Sequence, residues 1–242
     1  MSNVRRHTSN LAHDHAMLKT LLTAIVDDNH SAVATLLKAN SVLATRCIDE
    51  PKLYETGIFH WTYVGDTALH LAAAGYRVEI VNMLLEAGAD PNSYTNHRRS
   101  GPIHYAADGY VTGPAWDPEM QVRTIRRLLD AGANVNAQDI NGATALHRAV
   151  RTRCAAAVEF LLSAGANVVV RNKSGSTSFH LAVQNTGRGG SGDAKAKDGQ
   201  QQIIEAFISI GVDVDLRDGK GNSVLDCAKS NWVREMLTKN AA

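Results

Sequence analysis

The sequence predicts an all-α solenoid of stacked helix–turn–helix pairs with protruding turns, and three observations carry that prediction. The first is a period: His70 to Gly88 and His147 to Gly165 are both 18 residues, and His147 to His180 and Gly132 to Gly165 are both 33. A fixed spacing in this range marks repeated supersecondary units rather than one globule around one pocket. The second is composition. Apolar residues make up 44% of the 242, but aromatics only 5%, which suits helices packed closely through small side chains. The third is the internal grammar of each unit: a Gly-containing turn, a Thr suited to cap a helix, a short helix, a second apolar-striped helix, and a closing Gly.

The elements follow in order. Residues 1–14 are expected to be a flexible polar leader. Leu18, Leu21, Leu22, Ala24, Ile25, Val33, Leu36 and Leu37 then mark two short amphipathic helices, an N-terminal cap over 15–47. Residues 47–61 are in excess of the period and are expected to form a long first finger. In the unit near 62–95, Thr67 precedes Leu69-His70-Leu71-Ala72-Ala73, and Ile80, Val81, Leu84 and Leu85 form the stripe that ends at Gly88. Units near 96–138, 139–171 and 172–217 repeat the pattern through His104, His147 and His180. At 218–242 Leu225-Asp226 replaces Leu-His, and charged residues dress the last helix, as an end unit facing water requires.

The run Thr-x-Leu-His-x-Ala-Ala followed by Ile-Val-x-x-Leu-Leu-x-x-Gly-Ala-Asp resembles the ankyrin repeat, over about residues 15–242. The resemblance implies antiparallel helix pairs in a curved stack, with 15–242 as one domain. It also implies a structural role for the in-register histidines and protein binding through finger tips and first helices. Two units break the period: His104 to Gly132 is 28 residues and His180 to Gly211 is 31. Insertions are therefore expected near 110–120 and 186–200, in the helix–helix turns, and loops of this kind often lie on binding faces.

Catalytic chemistry finds little footing. One His per repeat makes a ladder, since packed helices sit about 8–10 Å apart, and a ladder does not converge on one ion. Gly187-x-Gly189-x-x-Gly192 meets the dinucleotide-binding pattern, but it follows a helix and lies in Gly/Ser/Lys-rich sequence, so a flexible loop is the better reading. No cofactor is expected. The net charge of +1 gives no global attraction to nucleic acid. No stretch approaches 18 consecutive apolar residues, so no membrane span is expected. Cys47, Cys154 and Cys227 are widely spaced and odd in number, which suits a reducing, cytoplasmic setting, and a monomer is expected.

Binding is then the expected function. Four of the thirteen aromatics, Tyr54, Phe59, Trp61 and Tyr63, fall within ten residues. Aromatics supply much of the energy at contact hot spots. Within this cluster Phe59 and Trp61 are expected to cap the core, and Tyr54 and Tyr63 to face a partner. The family's contact positions map here onto Tyr63 and Asp66, His97 and Arg98, Asn141 with Arg151, and Lys173. Trp116, in the Pro-flanked insertion, joins them. Arg98, Arg99, Arg148, Arg151, Arg153, Arg171 and Lys173 suggest either a basic strip for a partner with an acidic patch or scattered solvated charges. A dedicated inhibitor, immunity or chaperone-like partner of one enzyme or toxin is the first alternative to a general scaffold. An enzyme with a site built from the insertions is the second.

Overall fold

The computed structural model describes residues 2–109, 116–184 and 194–239. Helix α1 (Ser2–Val26) and α2 (His30–Ala39) form the first pair, followed by a 3-10 turn over Ser41–Ala44. A two-stranded antiparallel hairpin, β1 (Lys52–Tyr54) and β2 (His60–Thr62), comes next, with Leu53 opposite Trp61. Five further pairs complete the chain: α3 (Ala68–Ala74) and α4 (Val78–Glu86), α5 (Pro102–Ala107) and α6 (Pro118–Asp130), α7 (Ala145–Arg151) and α8 (Ala155–Ser163), α9 (Ser178–Ala182) and α10 (Ala194–Ser209), α11 (Val224–Cys227) and α12 (Asn231–Lys239).

Two layers result. The first helices α1, α3, α5, α7, α9 and α11 pack in sequence against one another, and α2, α4, α6, α8 and α10 form the second layer behind them. The core between the layers is built from Ala and medium aliphatics such as Leu69, Ile80, Val81, Leu84, Leu146 and Val158, all fully buried. Each buried Leu or Ile contributes about 1.5–3 kcal/mol.

The histidines hold the layers in register. Nδ1 of His70 accepts from the Thr67 amide at 3.0 Å, so Nε2 carries the proton and donates to the Ser100 carbonyl of the next finger at 3.0 Å. His104 repeats the arrangement toward Ala137 and Ala143, His147 toward Ser176, and His180 toward Asn222. One imidazole thus satisfies a helix N-terminus and a buried carbonyl of the following repeat.

Fingers of successive repeats touch through backbone. Gly65, with φ +90°, lies so close to the second finger that a Cβ would sit 2.6 Å from the Thr95 carbonyl oxygen and 2.8 Å from the Asn96 Cα. Gly65→Ala is therefore expected to cost about 2 kcal/mol or more, from the left-handed backbone and the clash together. Urea denaturation of the variant measures it, and an unchanged midpoint would mean that the two fingers are not in contact.

Three expectations are corrected. Residues 2–14 are the start of α1 rather than a flexible leader: no Gly or Pro lies between Ser2 and Val26, and extending an existing helix adds one hydrogen bond per residue ordered. The 47–61 segment does not lengthen a finger outward but folds back as the hairpin. The insertion after α9 is partly helix, because α10 begins at Ala194 and Gln200 Nε2 ties it to the Ala182 carbonyl at 2.8 Å. Gly187–Gly192, and the residues 110–115 of the other insertion, lie outside the described residues.

Candidate functional site

The hairpin turns the first-helix face of the early repeats into a covered surface. His60 and Thr62 point inward and Trp61 outward, as strand alternation dictates. The His60 ring lies 4.8 Å from the Tyr105 ring on α5, and Ile58 sits against Gly75, where a Cβ would be 2.8 Å from it. The Gly57 carbonyl accepts from Arg77 Nη2 at 3.2 Å. Burial holds the His60 imidazole below its ordinary pKa, partly offset by the Asp108 charge. Every residue of α3 is buried, between α1, α4, α5 and the hairpin.

The outer side of the hairpin is a different surface. Phe59 and Trp61 are 41% and 47% exposed, and Phe59 adopts φ +55° at the turn, a conformation costing on the order of 1 kcal/mol for a non-glycine residue. The expectation is thus reversed for three of the four residues of this cluster. Tyr54, at 8% exposure, faces inward against α1, whereas Phe59 and Trp61 are exposed. The reason is the turn at Gly57–Phe59, which places Tyr54 and Ile58 on the inner side.

Trp61 leads to Tyr63, two residues on. Arg98 lies over the Tyr63 ring at 4.8 Å from its centroid, and its Nη1 donates to the phenol oxygen at 2.7 Å. His97 meets the same ring edge-on at 5.4 Å. The finger residues Tyr63, His97 and Arg98 therefore form one cluster beside the hairpin. Asn141 and Lys173 are exposed at the next two tips and are linked by the bond from the Lys173 amide to the Asn141 carbonyl, 2.8 Å.

Asp66 does not belong to this surface. It is fully buried and accepts from the Tyr63 amide, Asn96 Nδ2 and the Tyr105 hydroxyl, each at 2.7 Å. Trp116 is half-buried against the core, with its indole N–H donating to Gln121 Oε1 at 3.1 Å. Burial removes Asp66 from a partner's reach, and packing under α6 fixes Trp116 as a support for Gln121.

Among the cations read as one strip, Arg148 and Arg153 are buried. Arg148, 3% exposed, reaches Asp139 at 2.8 Å, Ser100 Oγ at 2.6 Å and Asp108 at 3.6 Å, so it joins the second and third repeats. Burial alone would raise the Asp139 carboxyl, but the Arg148 hydrogen bond and charge, with the Ala143 and Asn141 amides, hold it below its usual range. Arg153 donates to the Ala182 and Gln184 carbonyls. Arg151 remains exposed at the rim, 3.5 Å from Asp108. The position following the repeat His holds a cation only at Arg148, with Leu71, Tyr105 and Leu181 in the other units, and no further sequence signal marks this cation as buried.

Among the described residues, no group of three or more His, Cys, Asp or Glu is placed to hold a metal ion, and no helix is long and apolar enough to cross a membrane. The three cysteines are free.

The comparisons agree with this architecture. A family profile described as ankyrin repeats (3 copies) matches residues 117–191, and one described as ankyrin repeat matches 64–96. An 89-residue stretch, 36% of this chain, is 37% identical to alpha-latrotoxin-Lt1a of Latrodectus tredecimguttatus and covers 6% of it. An 84-residue stretch, 35% of this chain, is 38% identical to ankyrin repeat and SOCS box protein 6 of Mus musculus and covers 18% of that protein. A putative ankyrin repeat protein of Fowlpox virus is 27% identical over 154 residues, 54% of this chain and 32% of the viral one. The chain thus spans a minor part of each of these relatives. The crystal structure of an ankyrin repeat domain from Acinetobacter baumannii AYE superposes with a TM-score of 0.67 at 24% identity, covering 91% of this chain and 95% of that one.

Proposed function

The chain is an ankyrin-repeat protein, and on that footing we propose that it is a non-catalytic scaffold that holds another protein against the edge where hairpin and finger tips meet. The observation that carries this reading is the exposure of Trp61 on the hairpin strand that runs into the Tyr63–Arg98–His97 cluster, with Phe59 exposed at the hairpin turn and Val64 and Ile140 exposed on finger tips. Large apolar side chains grouped at a rim of cations are what contact hot spots are made of. The stack is rigid before it binds, so little conformational freedom is lost on association. Tyr63, His97, Arg98, Asn141, Arg151 and Lys173 are the polar part of the surface, with Phe59 and Trp61 as its anchors. A dedicated inhibitor, immunity or chaperone-like role is a narrower form of the same reading, marked by a single stoichiometric partner.

Affinity capture from the native source tests it, comparing the wild-type chain with Phe59→Ala/Trp61→Ala and Arg98→Glu/Arg151→Glu. Each double variant is expected to lose about tenfold or more of the recovered partner, the equivalent of one hot-spot residue. Phe59, Trp61 and Arg151 are exposed and Arg98 is half-buried against Tyr63, so the melting curve of each variant is recorded beside the capture to separate a lost contact from a lost fold. Equal recovery from all three proteins would sink the proposal.

A further inference from the structure

We propose that the finger tips form a reading frame for an extended acidic segment in the polyproline II conformation, with carboxylates and one apolar residue recurring every third position. This rests on the protein-binding reading above and names the chemistry of the partner. Five tips line the edge: residues 63–65, 97–99, 140–142, 173–175 and 219–221. They carry Arg98, Arg99, Lys173 and Lys220 and contain no carboxylate. The acidic residues at the finger bases point inward instead. Asp139 accepts from the Asn141 and Ala143 amides, and Asp218 from the Lys220 and Asn222 amides. Among the described residues, none of the four tip cations has an ion-pair partner within 4.0 Å.

The spacing of these charges is set by backbone. The Ile140 amide donates to the Arg98 carbonyl at 2.7 Å, the Lys173 amide to Asn141 at 2.8 Å, and the Gly219 amide to Gly175 at 2.8 Å. Neighbouring tips therefore follow the stacking of the helices, roughly 8–10 Å per repeat. A β-strand ligand does not match this, because its residues i and i+3 point to opposite faces. A polyproline II helix does: it has three residues per turn and a rise of about 3.1 Å, so i, i+3 and i+6 share a face about 9 Å apart. The order of the tips then dictates the order of the ligand. One acid faces Arg98 and Arg99, an apolar residue three positions on faces Ile140, which is 42% exposed, an acid after three more faces Lys173, and an acid after a further three faces Lys220. Arg99 also borders a groove of about 350 Å³ with Tyr94, Ile103 and Gln138, which leaves room beside the first acid.

The test uses fluorescein-labelled synthetic peptides and the full chain in anisotropy titrations at low ionic strength. The in-frame probe is Glu-Pro-Pro-Leu-Pro-Pro-Glu-Pro-Pro-Glu, and the control has the same composition with its acids one position out of frame. The in-frame peptide is expected to bind about fivefold or more tightly than the control. Arg98→Glu/Arg99→Glu and Lys173→Glu/Lys220→Glu should each weaken it about tenfold, since each reverses two attractions. Lys38→Glu/Lys239→Glu, on α2 and α12, should leave it unchanged. Equal affinity for both peptides, or equal losses in all three variants, would reduce the effect to net charge and overturn the frame. No binding of either peptide, with native capture still lost in Phe59→Ala/Trp61→Ala, would overturn the frame while leaving the scaffold in place. In-frame binding with capture unaffected by the hairpin variant would support the frame and overturn the hairpin's share of the scaffold reading.

Discussion

Arg148→Met lowers the stability of the stack by about 3–5 kcal/mol, the cost of stranding buried charge when one partner of an ion pair is removed. The methionine fills much of the space, so the loss is electrostatic rather than a cavity. Asp139, whose side chain is 5% exposed, is left without its cation, Asp108, 8% exposed, keeps only Arg151 at 3.5 Å, and Ser100 Oγ loses its donor. Adding Asp139→Asn should recover part of the loss. The amide oxygen still accepts from the Asn141 and Ala143 amides, and one buried charge has gone. Arg151→Met is the contrast: its side chain is half-exposed and 3.5 Å from Asp108, so its removal should cost no more than about 1 kcal/mol. Urea midpoints for the four proteins decide the matter. Arg148→Met behaving like Arg151→Met would show that the guanidinium is not the joint between the second and third repeats.

The second large effect is acid lability at mild pH. Burial holds His60, His70 and His147 below the ordinary imidazole pKa, and burial with the nearby Arg148 charge brings His104 down to about 4. Each of these folded-state values lies below the unfolded one, so the unfolded chain binds more protons in the interval between them. Stability is therefore complete above about pH 6.5 and is lost as pH falls toward 4. His104 alone accounts for on the order of 3 kcal/mol across that window. The physical event is the loss of a neutral acceptor: protonated Nδ1 no longer accepts from the Gly101 amide, which it does at 3.1 Å. The urea midpoint is expected to decline steadily from pH 7 to pH 4.5. A midpoint constant down to pH 5 would mean that these imidazoles are not buried neutral.

The helix pairs were legible because each rests on short-range chemistry written several times over. Thr67, Thr144 and Thr177 cap, His70, His104, His147 and His180 bridge, and Gly88, Gly132, Gly165 and Gly211 close α4, α6, α8 and α10. Agreement between units removes the ambiguity any single copy would leave. The hairpin was not legible, since it depends on where one turn falls. Moving that turn by one residue exchanges Tyr54 and His60 for Leu53 and Trp61 on the inner side. Burial of Asp66 and Arg148 was hidden for another reason. Both stand at positions that vary from repeat to repeat, and only tertiary partners turn them into interior groups: Asn96 and Tyr105 of the second repeat for Asp66, and Ser100 of the second repeat with Asp139 of its own finger for Arg148. The finger-tip placement of Arg98, His97, Asn141 and Lys173 was readable from the count back to each His, because finger tips repeat as faithfully as helices do.

The hairpin also gives the stack a direction in which to come apart. In a row of units that touch only their neighbours, fraying can begin at either end. Here the strand entering the first repeat reaches past it to the second, His60 against Tyr105, while Arg77 grips the Val26 and Gly57 carbonyls behind. Opening the amino-terminal end must release three units together, whereas α11 and α12 can leave singly. Amide exchange should then progress from the carboxyl-terminal cap inward, with the amides of α3 and α5 the last to exchange.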